Sequence, residues 1–89
     1  MLASSEARVT LPDGVALHAR PAAIFVRTAM KYKARISVVV NDREADAKSI
    51  LSVLALGARA GTTLRLVAEG EDARDAVDAL TSSVTSLTE

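Results

Sequence analysis

Apolar and polar positions alternate in the first ten or so residues. Ala7, Val9 and Leu11 fall on one side and Arg8 and Thr10 on the other. That period of two predicts a half-buried strand over residues 4–12. Pro12-Asp13-Gly14 then ends it with a turn. The period changes after His18. Ala22, Phe25, Val26 and Ala29 recur at i, i+3, i+4 and i+7, which makes one apolar helical stripe. Pro21 fits the first turn of that helix, where its missing N–H costs no helical hydrogen bond. Ile24 and Arg27 fall off the stripe and are expected to face outward. Met30-Lys31-Tyr32-Lys33 is expected to supply cations to the last turn, where they complement the helix dipole.

Alternation returns over residues 35–40, with Ile36, Val38 and Val40 on one face and β-branched residues throughout. Asn41-Asp42 suits a two-residue hairpin turn, and residues 43–47 suit a short return strand with Ala45 and Ala47 inward. Ser49 is a good N-cap for a short, strongly apolar helix that ends before Gly57. Val53 and Leu56 can be buried together, which leaves Ile50, Leu51 and Leu54 as a second apolar face with part of it exposed. Residues 62–69 read as a strand with Leu64, Leu66 and Ala68 inward. Asp72 and Asp75 then resemble a capping box before a helix carrying Val77, Leu80, Val84 and Leu87. The order is β-α-β-β-α-β-α. It predicts an α+β domain over residues 1–89, with three helices on one face of a four-stranded, mainly antiparallel sheet.

Composition narrows the function. The chain has 89 residues, 49% of them hydrophobic, with Phe25 and Tyr32 as its only aromatics, so the core must be aliphatic. Eleven basic and eleven acidic residues balance, which argues against nucleic acid as a partner. There is no cysteine and a single histidine, which excludes disulfides, thiolate chemistry and a cysteine- or histidine-built metal site. The first residues lack the basic start and apolar run of a signal peptide, and no segment has the apolar length to cross a membrane. A soluble cytoplasmic protein is therefore expected. Gly57-Ala-Arg-Ala-Gly61 lacks the Lys-Ser/Thr of a nucleotide-binding loop, so no nucleotide or other cofactor is expected.

The candidate chemistry centres on His18. Taken alone, it reads as a surface or capping histidine, Arg20 as a solvated arginine and Ser49 as a structural cap. Three features raise His18 above that reading: a glycine-containing turn before it, Arg20 two positions on, and Pro21 fixing the first turn. A helix start presents free N–H groups and a partial positive charge, an arrangement suited to phosphate. Phosphoryl transfer to a ring nitrogen needs the neutral imidazole, because the protonated ring has no free lone pair. The amides of Ala19 and Arg20, with the Arg20 guanidinium, would then face the bound phosphate.

At Leu17-His18-Ala19-Arg20-Pro21-Ala22-Ala23, and again at residues 47–57 (Ala-Lys-Ser-Ile-Leu-Ser-Val-Leu-Ala-Leu-Gly), the chain resembles the HPr family. Its members are the histidine-containing phosphocarriers of the bacterial sugar phosphotransferase system. The resemblance implies an open-faced β-sandwich. It implies that His18 takes phosphate on Nδ1 from phosphorylated enzyme I and passes it to enzyme II A domains, so that the protein is a carrier rather than an independent enzyme. By the same resemblance Arg20 matches the arginine that attends the phosphate, and Ser49 matches the serine that, in some lineages, a dedicated kinase phosphorylates to regulate carbon use. The resemblance also implies that Ala23, Arg27, Ile50, Leu51 and Leu54 form the docking surface of a monomer. Two positions depart from the family pattern: Ala16 stands where glycine is usual, and Val15 where a polar residue is common. They motivate an alternative, a regulatory module that docks partners with little phosphoryl relay. A purely structural domain is the third reading.

Overall fold

A computed structural model describes residues 3–87 of the chain. Strands β1 (Ser4–Thr10), β2 (Arg35–Val40), β3 (Arg43–Asp46) and β4 (Thr63–Glu69) form one sheet in the order β1-β4-β2-β3. All three pairings are antiparallel, as the element order leads one to expect. Helices α1 (Ala19–Ala29), α2 (Ile50–Ala55) and α3 (Ala73–Thr85) lie on one face of it.

The period-two pattern sets which side of each strand is buried. Ile36, Val38 and Val40 of β2 and Leu64, Leu66 and Ala68 of β4 point under the helices, and the last three are fully buried. Register places Val38 beside Leu66 and Ile36 beside Ala68, so the two central strands stack like with like across the sheet. The opposite face carries Arg8 against Arg65, and Arg65 reaches diagonally to Glu6 at 3.3 Å. Asn41 takes a left-handed φ of 56° in the β2–β3 turn, a conformation asparagine tolerates.

From α1, Ala22, Phe25, Val26 and Ala29 enter the core as the stripe predicts. Val77, Leu80, Val84 and Leu87 do the same from α3 and the residues after it. α3 lies over β1 and β4 and touches α1, while α2 packs on α1 beside β3. Val53 and Leu56 bury the inner side of α2.

The structure corrects four sequence expectations. Helix α1 ends at Ala29, so Lys31 and Lys33 lie beyond it, and only Arg27 is a cation of its last turn. Ile24 is half-buried against the core rather than turned outward. The return strand stops at Asp46, although the Ala47 N–H still donates to the Ile36 carbonyl at 3.0 Å. Asp72 begins α3 without a side-chain cap. Its two carboxylate oxygens instead accept the N–H groups of Lys33 and Ala34, each at 2.8 Å. A local capping box competes with these two distant amides, and two good bonds to orphan donors win. Gly70 makes that approach possible, since a Cβ there would stand 3.0 Å from the Ala34 Cα at a φ of 140°. The Lys33 amide, followed by that of Ala34, holds the Asp72 carboxyl below its ordinary value of 3.8 against the opposing effect of desolvation.

Candidate functional site

The segment before α1 alternates in burial. Val15 is 4% and Leu17 2% exposed, while Ala16 is half-buried and His18 is exposed. The two apolar side chains anchor the segment in the core, and His18 is carried outward by that anchoring. Three backbone bonds fix its path. The Val15 N–H donates to the Pro12 carbonyl at 3.1 Å. The Leu17 N–H donates to the Ala58 carbonyl at 2.9 Å, tying this segment to the loop after α2. The His18 N–H donates to the Ala16 carbonyl at 2.8 Å, closing a three-residue turn centred on Leu17.

These bonds settle the two departures at the loop. Asn41 is the only non-glycine residue with positive φ among those described, so Ala16 holds its place without the left-handed conformation a glycine would permit. Val15 gives up a polar side chain but gains a place in the core.

His18 is the N-cap of α1, with extended backbone at φ −125° and ψ 171°, and its carbonyl accepts the Ala22 N–H at 2.9 Å. Its side chain makes no capping bond, so the imidazole is not consumed by the helix end it sits on. No acidic residue lies in the first turn. The amides of Ala19 and Arg20 precede any intrahelical acceptor, and Pro21 has no N–H, so two donors are left facing outward at the positive end of an eleven-residue helix. His18, Arg20, Ala16, Ala19 and Pro21 line a shallow depression of about 240 Å³. A larger depression of about 450 Å³, lined by Arg35, Ile36, Ser37, Glu44 and Asp46, lies at β2–β3 and holds no histidine.

The remaining candidates belong to α1 and α2. Ser49 caps α2, its Oγ accepting the Ser52 N–H at 3.3 Å. Leu51 is 78% exposed and Ile50 38%, whereas Leu54 is half-buried and packs against the core. Thus two of the three apolar residues expected on the outer face reach solvent, and the third is shared with the interior. Ala23 is half-buried and Arg27 exposed on α1. Met30, 64% exposed, adds to the apolar surface and was not among the sequence candidates. Its place four residues after Val26 makes it look like one more residue of the buried stripe. It keeps helical backbone angles as the C-cap of α1, yet its side chain is left in solvent at the edge of the stripe.

Charge is unevenly spread for a neutral chain. No acidic residue lies between Asp13 and Asp42, a span that holds Arg20, Arg27, Lys31, Lys33 and Arg35. None lies between Asp46 and Glu69, which holds Lys48, Arg59 and Arg65. Both helices of the candidate surface fall in these acid-free spans, which favours acidic partners and anionic groups.

Comparison with known proteins adds an independent line. The family model described as the PTS HPr component phosphorylation site matches residues 5–86. The chain is 39% identical over 83 residues to the phosphocarrier protein HPr of Buchnera aphidicola, covering 93% of this chain and 95% of that one. It is 42% identical to a multiphosphoryl transfer protein of Haemophilus influenzae, over 84% of this chain and 16% of that longer protein. A crystal structure of HPr from Thermoanaerobacter tengcongensis superposes with a TM-score of 0.88 at 38% identity, covering 92% of each chain.

Proposed function

The chain belongs to the HPr family of the phosphotransferase system, and we propose that it carries phosphoryl groups on His18, taking them from phosphorylated enzyme I and giving them to enzyme II A domains. The observation that carries this reading is the placement of His18. It is an exposed imidazole at the N-terminus of α1, free of any capping bond, beside two unpartnered amides and Arg20.

In the proposed step the Nδ1 lone pair attacks phosphorus. The bond from phosphorus to the donor breaks as the new P–N bond forms, and its electron pair stays with the donor. The transferred oxygens then meet the Ala19 and Arg20 N–H groups and the Arg20 guanidinium. A helix terminus offers a charge up to ~2 kcal/mol in favourable geometry. That is enough to bias transfer and too little to trap the group, which suits a carrier that must release it. Ala23, Arg27, Ile50, Leu51 and Leu54, extended by Met30, seat each protein partner in turn. The relay operates in the cytoplasm, where the donor and acceptors of this system meet. Phosphate on Ser49 would suit the start of α2 and place negative charge beside the docking residues, which opposes an acidic partner.

The test is incubation with enzyme I and labelled phosphoenolpyruvate. The expected product is an acid-labile, base-stable phosphoprotein, with no label on a folded His18→Ala variant. Persistent labelling of that variant would overturn the assignment, and a wild-type chain that docks enzyme I without taking label would favour the regulatory module.

A further inference from the structure

We infer that Lys48 is a positioning residue whose side chain straps the start of α2 to the end of α1 and thereby sets the spacing of the two helices that seat partners. The inference deepens the carrier reading and takes its kinetic assay from it. Its basis is geometric. The Lys48 ammonium donates to the Tyr32 carbonyl at 2.6 Å. Tyr32 lies just past the last turn of α1, where its own N–H donates back to the Ala29 carbonyl at 3.2 Å. A cation there meets a carbonyl at the negative end of the helix, where a charge-assisted bond is favoured.

The other end of the strap is equally fixed. The Lys48 N–H donates to Asp46 Oδ1 at 2.9 Å, and the Ser49 N–H donates to the Asp46 carbonyl at 3.0 Å. The backbone at residue 48 is therefore held by β3 before its side chain crosses to α1. In the same loop, Asp72 accepts the next two amides, those of Lys33 and Ala34. The peptide carbonyl at residue 32 and the amides at 33 and 34 are thus held by side chains from elements far apart in sequence, and the Lys48 charge also helps to hold the Asp72 carboxyl low.

The strap matters because α2 is only six residues long. A helix that short is not stable by itself, so its position is set by the packing of Val53 and Leu56 and by what grips its ends. Ser49 caps its start, the Arg43 guanidinium donates to the Ala55 carbonyl at 2.9 Å at its finish, and among the described residues Lys48 makes the one side-chain hydrogen bond to the end of α1. The tie adds a polar constraint to the apolar packing that holds Leu51 on α2 and Arg27 on α1 within reach of one partner surface.

The experiment compares wild type, Lys48→Met and Lys48→Arg as full chains. Three quantities are read: steady-state labelling by enzyme I, labelling by phosphoramidate (a small donor that needs no docking), and amide exchange at Val53, whose N–H bonds the Ser49 carbonyl. For Lys48→Met we expect the KM for the chain to rise about three- to tenfold, the range set by one charge-assisted bond at a half-exposed position. Its kcat and phosphoramidate labelling should hold, exchange at Val53 should quicken, and Lys48→Arg should recover most of the loss. Unchanged exchange with a raised KM means that Lys48 touches the partner directly, which overturns the strap. Faster exchange with an unchanged KM overturns its role in docking, and a parallel fall in phosphoramidate labelling places its effect at His18 instead. If enzyme I fails to label even wild type, the carrier reading fails, while the exchange result still decides whether the strap exists.

Discussion

Leu51→Glu separates docking from folding more cleanly than any other single change. Leu51 is 78% exposed in the folded chain, so about a fifth of its surface is engaged. Fully burying a leucine side chain stabilises by roughly 1.5–3 kcal/mol. The folded state therefore loses only about 0.3–0.7 kcal/mol on replacement, or a shift in Tm of roughly 2–5 °C for a domain this small. The remaining four-fifths, about 1.2–2.3 kcal/mol, is available to a partner that covers the residue. Glutamate forfeits that amount and adds a carboxylate to be desolvated, so affinity for enzyme I should fall at least tenfold. The assay pairs thermal unfolding by circular dichroism with a titration against enzyme I, and His18 labelling by a small phosphoryl donor serves as control. A drop in Tm beyond about 10 °C would place Leu51 in the core, contrary to its exposure. Unchanged affinity in a well-folded variant would remove α2 from the docking surface.

Gly70→Ala should destabilise by roughly 2–4 kcal/mol, combining overpacking against Ala34 with a backbone strained at φ 140°. Urea unfolding measures it, and a loss under about 0.5 kcal/mol would show that the contact at residue 34 relaxes freely. Asp72→Asn should lower stability at neutral pH. Because the folded carboxyl titrates below 3.8, its contribution is fully present above that value and lost as the pH falls through the folded one. The gap between wild type and Asp72→Asn should therefore close in strong acid, and a gap that persists there would mean that charge is not the cause. Ser49→Asp should keep the cap on α2 yet weaken enzyme I binding at low salt, with the difference shrinking as salt is added. Equal affinity at low ionic strength would count against an electrostatic switch at residue 49.

The strands and the inner faces of all three helices were legible because burial obeys a local period. Ile36, Val38, Leu64, Leu66, Phe25 and Leu80 are buried where alternation or helical spacing puts them. The place of His18 at the start of α1 was legible too, since the apolar stripe and Pro21 that mark the helix start are its neighbours in sequence. What escaped is long-range and polar. Asp72 reads as a cap from its own neighbours, but its partners are 38 and 39 residues away. Lys48 and Arg43 look like solvated cations until the fold brings the Tyr32 and Ala55 carbonyls to them. The Val15-Ala16 segment was opaque for a related reason: its shape depends on the Leu17 bond to Ala58, a partner 41 residues on.

The most direct test of the account follows the phosphorus itself. A phosphorus NMR time course would begin with the chain, catalytic enzyme I and phosphoenolpyruvate, and an enzyme II A domain would be added once the signal is steady. The account predicts one phosphohistidine resonance with the shift of an Nδ1 adduct, absent from folded His18→Ala, that disappears as the added domain acquires its own. A resonance that survives in His18→Ala, or one that stays on the chain after the acceptor is added, would contradict it.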